Sequence, residues 1–490
     1  MKKKTQIRLY SLLGVIAIVV FILLGRASSK MSNQERTFVI LSTNDMHAQI
    51  DKFPALATAI AACRDTVDVV LIDAGDRTTG NAFVDLVEHY KPMYELMNHV
   101  KYDAVIYGNH EFDKGLENLA AVNTQVTFPV LGANITSHTN AFPQPAGYHI
   151  VEVAGAKVAF VGVVGNDDNG HPSGKDESYV GVEFASPKIT AQTYAKLRSE
   201  CDMLVLVSHC GLERDMEFAA SEYSKGYDMV VSAHSHDVAN QTINNVLVSQ
   251  TGCRLKSIGA TTVKIDKNGK ISLSNRIVPL STYSPDAEVA KMVAGYFDNP
   301  DLKVPIGSAE SDFDVVALQN LFAESIRSRT NSNIGIYHQG GVRIETLAKG
   351  NIPLSAVLNA EPFGSYVATA SMTVAQIEEM IIAKFNDKEN LSEAHIIDLI
   401  TTTPYTIVTN DEGDAVDVIF PNLDPKRLYT VAMGDYIFKR YKGLNYKSGE
   451  VKDILITDIL KNHISKHNPL KPDSNNYQNI IKQEALPVLE

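Results

Sequence analysis

Five clusters of polar residues combine imidazoles, carboxylates and an amide, each just after an apolar run. They are Asn44-Asp45-Met46-His47, Gly75-Asp76, Gly108-Asn109-His110-Glu111-Phe112-Asp113, Ser208-His209 and Ala233-His234-Ser235-His236. Two metal ions need about eight donors between them, and these clusters supply that number. A mixed oxygen and nitrogen set without a thiolate suits Zn, Mn, Fe or Co. Asp45 and His47 are two residues apart, as are His234 and His236, so an extended backbone would aim both members of each pair to one side. Cys210 lacks the two-residue offset needed to point with His209 and is set aside. A lone histidine at a strand end is more often structural, and Asp76 after Gly75 could be only a turn residue. Five of the 14 histidines at strand ends are a different matter, because packing alone does not account for all of them together. The other nine histidines lack this context and read as surface or packing residues.

The elements that must position these clusters repeat from residue 36 to about 280. Short Val/Ile-rich runs such as TFVILST, VDVVLIDAGD, DMLVLVSHCG and DMVVSAHSHD alternate with helical stretches. The runs are apolar nearly throughout, which argues for strands covered on both faces in a layered α/β domain. In such a domain the strand C-termini share an edge where ligands collect, so clusters distant in sequence can converge. YHIVEVAGAKVAFVGVVG reads as one more apolar strand, and TTVKIDKNGKISLSNRIV as a closing hairpin. Ser284-Pro285-Asp286 marks a helix start and Asn299-Pro300 a stop, so residues 281–302 read as a connector helix. Residues 303–490 form a second, smaller α/β region.

The chain has 490 residues, too many for one typical domain, with 57 acidic against 45 basic side chains. Five of the basic ones lie in the first 27 residues, which hold no acid, so the rest is more acidic still. Such a body is a poor candidate for nucleic-acid binding. It leaves open a small anionic substrate at a locally positive site. MKKKTQIR runs into an apolar stretch and then GRASS, the order of an export signal. The apolar core is long for a cleaved signal and slightly short for a comfortable span, so residues 1–30 read as a signal peptide or an uncleaved N-terminal anchor. Either implies export to the periplasm or cell envelope, with membrane contact only through that segment. The four cysteines make no disulfide framework. Cys201 and Cys210 flank a strand-like run that would hold them about 30 Å apart.

The order D-x-H, G-D, G-N-H-E-F-D, H, H-x-H resembles that of the calcineurin-like metallophosphoesterases. In the form STNDMH, DAGD, GNHEFDKGLENL, SHCGL, AHSHD it is similar to the exported 5′-nucleotidase branch. The resemblance covers nearly all of the chain after the N-terminal segment. It implies an α/β/β/α four-layer metallophosphoesterase domain over residues 36–280, followed by the 5′-nucleotidase-type C-terminal domain over 303–490. It further implies two divalent metal ions, one held by Asp45, His47 and His236, the other by Asn109, His209 and His234, with Asp76 bridging them. His110 matches the family's catalytic histidine and Asp113 the carboxylate that orients it. The activity implied is hydrolysis of nucleoside 5′-monophosphates by metal-activated water.

In this family the C-terminal domain grips the substrate nucleotide. QGGVR is similar to the family's G-G-x-R turn and nominates Arg343 as a phosphate contact, where a guanidinium offers bidentate geometry. PFG nominates Phe363, and VAMGDY nominates Tyr436, as rings that sandwich the base. Three departures bear on specificity. His338 stands where Asn or Ser is usual, and Ser365 stands where Asn is usual, which removes an amide suited to a base edge. Residues 438–444, FKRYKGL, replace a neutral stretch whose Asp would meet the ribose. Related phosphoesterases acting on a UDP-sugar, a 2′,3′-cyclic nucleotide or a thiosulfate-type group are the enzymatic alternatives. The other alternative, a non-catalytic nucleotide-binding protein, is opposed by the complete ligand set.

Overall fold

The computed structural model describes residues 35–86, 89–167, 170–386, 399–440 and 449–483. The N-terminal segment 1–30 and residues 441–444 of the cationic stretch lie outside the described residues. The chain forms two compact units, the first made of the residues up to Thr79 together with Val84–Asp298, the second of Gly80–Phe83 together with the residues from Asn299.

Two six-stranded sheets build the first unit. One has the order 271–279, 257–265, 36–43, 69–73, 104–106, 130–131. Its last four strands are parallel and its first two pair antiparallel. The other has the order 238–243, 246–251, 229–231, 203–209, 156–164, 148–153, with the four inner strands parallel. Side chains alternate between the two faces of each strand, and this alternation builds the layers. Phe38 and Ile40 meet Val158, Phe160, Val205 and Val207 between the sheets. Val39 and Leu41 instead join the core beneath the helices Phe53–Arg64 and Lys91–Val100. Ala159, Val161, Leu204 and Leu206 pack on the other side beneath Pro187–Tyr194 and Leu212–Ala220. The unit is therefore a four-layer α/β/β/α stack, as expected. Because the inner strands run parallel, five C-terminal ends reach one edge, and each of the five polar clusters begins there.

Two local readings change. The run 148–165 is a hairpin of Tyr148–Val153 and Ala156–Val164, not one strand. Its two-residue turn, Ala154-Gly155, has both φ angles positive, the geometry that matches the twist of paired strands. The expected connector helix, Ala287–Tyr296, packs on Phe53–Arg64 and buries Val289 and Val293. Asp286 caps it by accepting from Val289 N, while its own amide donates to Pro54 O. These contacts hold the helix within the first unit, and the division falls at Asp298.

A five-stranded sheet in the order 399–401, 334–338, 428–434, 366–373, 449–455 centres the second unit. The helices Val315–Thr330 and Ile456–Lys466 contribute to the core on one face, and Val374–Phe385 to the core on the other. Strands 334–338 and 428–434 are parallel, and strand 366–373 runs antiparallel to the latter. Residues just after the first two and just before the third thus share one sheet edge. Among the described residues no helix is long and apolar enough to cross a membrane, and none of the four cysteines forms a disulfide.

Phe160 is fully buried between the sheets of the first unit. Phe160→Ala is expected to lower the stability of that unit by about 3–5 kcal/mol through lost transfer energy and a residual cavity. A guanidinium unfolding transition that does not move would contradict this interlayer core.

Candidate metal centre

The strand 36–43 ends at Thr43, yet its chain keeps contact with the neighbouring loop. Asp45 N donates to Gly75 O, His47 N to Asp76 O and Ala48 N to Arg77 O. The two stretches descend together, carrying Asp45, His47 and Asp76 inward. Extended backbone, the basis on which the paired ligands were expected to point together, is not what is found. Asp45, His47, Asp76, His234 and His236 all have left-handed backbone, with φ of 48°, 46°, 53°, 77° and 57°. Convergence comes from a series of tight turns at positions where side chains other than glycine are uncommon.

Two glycines let the ligand-bearing loops touch. A Cβ on Gly75 would lie 2.6 Å from Gly108 N, and a Cβ on Gly108 would lie 2.2 Å from Asp76 Oδ1 and 2.8 Å from His209 Cε1. Only bare backbone on both sides allows this approach. His110 N then donates to Asp76 Oδ1 at 2.9 Å, tying the Asn109-His110 turn to the Asp76 carboxylate.

Ligand atoms of Asp45, His47 and His236 all lie within 4.8 Å of one another, and so do those of Asp76, His209 and His234. His47, Asp76 and His110 form a third such group, which places Asp76 next to members of both triads. The rings are held from behind. His47 Nδ1 bonds Thr79 O at 3.2 Å and His209 Nδ1 bonds Ala74 O at 2.8 Å, so in both rings Nδ1 is the donor and Nε2 is left to face inward. Asp45 accepts from Asn44 Nδ2 and from His234 N. His110 Nδ1 bonds Asp113 Oδ2 at 2.8 Å, with His110 Nε2 3.9 Å from Asp76 Oδ2.

Two features test whether these residues fit divalent cations. Asn109 Oδ1 and His209 Nε2 are buried and have no hydrogen-bond partner among the described residues, although His209 Nε2 lies 3.2 Å from Asp76 Oδ2. Buried polar atoms are seldom left so, and a cation would satisfy both. The charge balance agrees. Burial pushes Asp45 up to about 7 against the pull of His209. For Asp76 burial acts the same way, but His209, His110 and His47 outweigh it and hold the carboxyl well below its usual range. Burial works to lower His209, yet Asp76 and Asp45 raise it to about 10. His234 is lowered to about 3 by burial and by its neighbour His209, which favours the neutral imidazole. Cations entering this cluster take over the neutralising role of the His209 proton. The donor set fits two divalent ions.

Glu111, a residue the spacing argument left without a role, joins the loops. Its buried carboxylate accepts from Asp76 N at 2.9 Å, Gly108 N at 2.7 Å, Arg77 N at 3.0 Å and Thr78 Oγ1 at 3.2 Å. Fully buried Arg77 stands beneath it, bonded to Asp73 Oδ1 and Ile106 O and 3.8 Å from Glu111 Oε1. No local sequence signal marks this, because Arg77 and Glu111 each stand among other polar residues. Cys210 faces the apolar core instead, its thiol pushed up to about 12 by burial.

In the second unit Arg343 follows the turn Gln339–Gly341, Phe363 precedes strand 366–373, and Tyr436 opens the helix Asp435–Arg440. The Arg343 guanidinium lies over the Phe363 ring, 5.6 Å from its centre. Tyr436 stacks on His338, with ring centres 5.1 Å apart and planes at 30°. The structure thus pairs Arg343 with Phe363 and Tyr436 with His338. Ser365, expected to leave a base edge without its amide, is buried, and its hydroxyl donates to Glu361 Oε1 at 2.7 Å.

Residues 38–238 match the calcineurin-like phosphoesterase model, and residues 293–447 match the 5′-nucleotidase C-terminal domain. Endonuclease YhcR of Bacillus subtilis is 25% identical over 400 residues, covering 71% of this chain and 33% of that protein. The chain therefore spans about a third of that relative's length. Protein UshA of Yersinia enterocolitica is 25% identical over 522 residues, 90% of this chain and 92% of that protein. The 5′-nucleotidase precursor from Thermus thermophilus shares the fold, with a TM-score of 0.76 at 18% identity over 91% of this chain and 99% of that one. The layered fold and the His/Asp groups agree with these matches. The chain is thus similar to calcineurin-like phosphoesterases over residues 38–238 and to the 5′-nucleotidase C-terminal domain over residues 293–447.

Glu111→Gln replaces one acceptor oxygen with an amide group that faces backbone donors. It is expected to weaken Mn²⁺ binding about 10–100-fold, the usual cost of losing a group that orients ligands. Calorimetric titration with Mn²⁺ measures this, and an unchanged affinity would contradict the role given to Glu111.

Proposed function

We propose that the chain is an exported 5′-nucleotidase, releasing phosphate from nucleoside 5′-monophosphates. The observation that carries the proposal is the meeting of two His/Asp triads around Asp76, with the His110–Asp113 pair beside them. Asp45, His47 and His236 would hold one divalent ion, Asn109, His209 and His234 the other, and Asp76 would touch both. Zn, Mn, Co or Fe suits these donors. When bound, such ions supply Lewis-acid polarisation of the phosphoryl group and an activated water for in-line attack. The remaining work falls to the protein. Asp113 holds the Nδ1 proton of His110, so that Nε2–H can stabilise charge on the phosphoryl oxygens and protonate the departing alkoxide. The burial of Asp45, His47 and Asp76 limits competing water around the reacting group.

Arg343 would meet the phosphate, and Phe363 and Tyr436 the base, each ring contributing by stacking. Support for a nucleotide comes from the second unit's match to the 5′-nucleotidase C-terminal domain and from the name of the Thermus relative. Export is read from the basic and then apolar order of residues 1–30, placing the protein in the periplasm or cell envelope. The catalytic unit is assigned through Asp298 and the substrate-binding unit from Asn299.

The test is phosphate release by the full chain loaded with Mn²⁺, using AMP, UMP, UDP-glucose, a 2′,3′-cyclic nucleotide and p-nitrophenyl phosphate. AMP is expected well ahead of p-nitrophenyl phosphate, with the gap closing in Phe363→Ala. Equal rates on all five would sink the nucleotide assignment. His110→Asn is expected to cut kcat about 10²-fold or more with metal content unchanged. Undiminished turnover in that variant would remove His110 from the mechanism.

A further inference from the structure

Thr79 lies three residues beyond Asp76, buried, with φ at 63°. A β-branched residue in left-handed backbone is a true outlier, and such outliers persist only where the surroundings fix them. What fixes this one is a pair of bonds. The Thr79 carbonyl accepts from His47 Nδ1 at 3.2 Å. The Thr79 hydroxyl donates to Asp113 Oδ2 at 2.8 Å, the same oxygen that takes His110 Nδ1 at 2.8 Å. An ionised carboxylate only accepts, so the Thr79 hydrogen points at Asp113. The Tyr90 hydroxyl, 3.1 Å from Thr79 Oγ1 and itself buried, is then the donor to Thr79. The result is a directed chain from Tyr90 through Thr79 to Asp113, with His110 donating to its far end.

We propose that Thr79 is a positioning residue, its carbonyl setting the His47 ring and its hydroxyl fixing Asp113 on His110. The inference rests on the phosphoester-hydrolase reading above, since it concerns how His110 is held for that reaction. Its content is a division of labour within one residue. The carbonyl belongs to the backbone and survives any substitution that keeps the loop. The hydroxyl survives only in serine. Loss of the hydroxyl frees Asp113 Oδ2 to rotate, which loosens the bond to His110 Nδ1 while leaving His47 oriented.

The experiment compares Thr79→Val, Thr79→Ser and the unaltered full chain, each loaded with Mn²⁺. Valine keeps the β-branch and volume but has no hydroxyl. Thr79→Val is expected to lower kcat about tenfold, the size of one lost hydrogen bond in a transition state, with KM for AMP and Mn²⁺ content unchanged. Thr79→Ser is expected to restore kcat to within about twofold and to melt no lower than the unaltered chain, because serine removes the β-branch from a left-handed position. Tyr90→Phe should fall between the two. A second readout needs no turnover. In ¹⁵N-histidine-labelled protein loaded with diamagnetic Zn²⁺ in place of Mn²⁺, the Nδ1–H signal of His110, assigned by its loss in His110→Asn, should persist in Thr79→Ser and broaden or vanish in Thr79→Val. Wild-type kcat in Thr79→Val would overturn the proposal, as would Thr79→Ser failing to recover kcat or Thr79→Val losing Mn²⁺. If the unaltered chain releases phosphate from none of the substrates, the functional reading fails. The Nδ1–H signal then still decides the Thr79 link.

Discussion

The contact on which the first unit depends is the approach of the Gly75-Asp76 loop to the Gly108-Asn109 loop. Two glycine backbones meet at a distance no side chain would tolerate, and the Glu111 carboxylate clasps the amides of both. A buried carboxylate with too few donors would cost several kcal/mol. Here it accepts from four backbone amides and the Thr78 hydroxyl, with the Arg77 charge beneath it, so its burial is compensated. Arg77 in turn reaches Asp73, at the end of the neighbouring strand, and Ile106 O on the next. The clasp thereby anchors the ligand loops to the sheet. Asp76, at its centre, belongs to one triad and lies next to His47 of the other.

The left-handed ligands follow from the same constraint. Parallel strands deliver five chain segments to one edge, but strands spaced about 4.8 Å apart cannot by themselves bring donors together around a cation. Sharp turns at Asp45, His47, Asp76, His234 and His236 close the remaining gap. Each left-handed residue costs about 1–2 kcal/mol. Bonds such as Asp45 N to Gly75 O, His47 N to Asp76 O and His234 N to the Asp45 carboxylate hold them there. The strain resides in a preformed cluster whose shape would suit cations.

Much of this was readable from residue order. Apolar runs ending in Asp, His and Asn imply strands, a shared edge and a mixed-donor metal site, because strand direction and side-chain alternation are simple consequences of geometry. Other features depended on tertiary contacts. Asp45 and His47 look like an extended pair by spacing, and only the neighbouring loop forces them into left-handed turns. The Ala154-Gly155 turn carries only the weak signal of a glycine inside a run that reads as strand on both sides. Glu111 and Thr79 carry no spacing signal, because their partners come from loops about thirty residues away. In the second unit the resemblance nominated Arg343, Phe363 and Tyr436 singly. That Arg343 packs on Phe363 and His338 on Tyr436 emerges only once strands 334–338, 366–373 and 428–434 are side by side. Ser365, a departure in the pattern, is explained by Glu361 four residues earlier, which uses its hydroxyl.

The central claim is that Asp76 sits between two divalent ions, each held by its own triad. A crystal of the full chain grown with Mn²⁺, with anomalous diffraction recorded near the manganese edge, tests this directly. Two peaks about 3.5–4 Å apart are expected, one beside Asp45, His47 and His236, the other beside Asn109, His209 and His234, with the Asp76 carboxylate touching both. A single peak, or two peaks of which only one contacts Asp76, would contradict it.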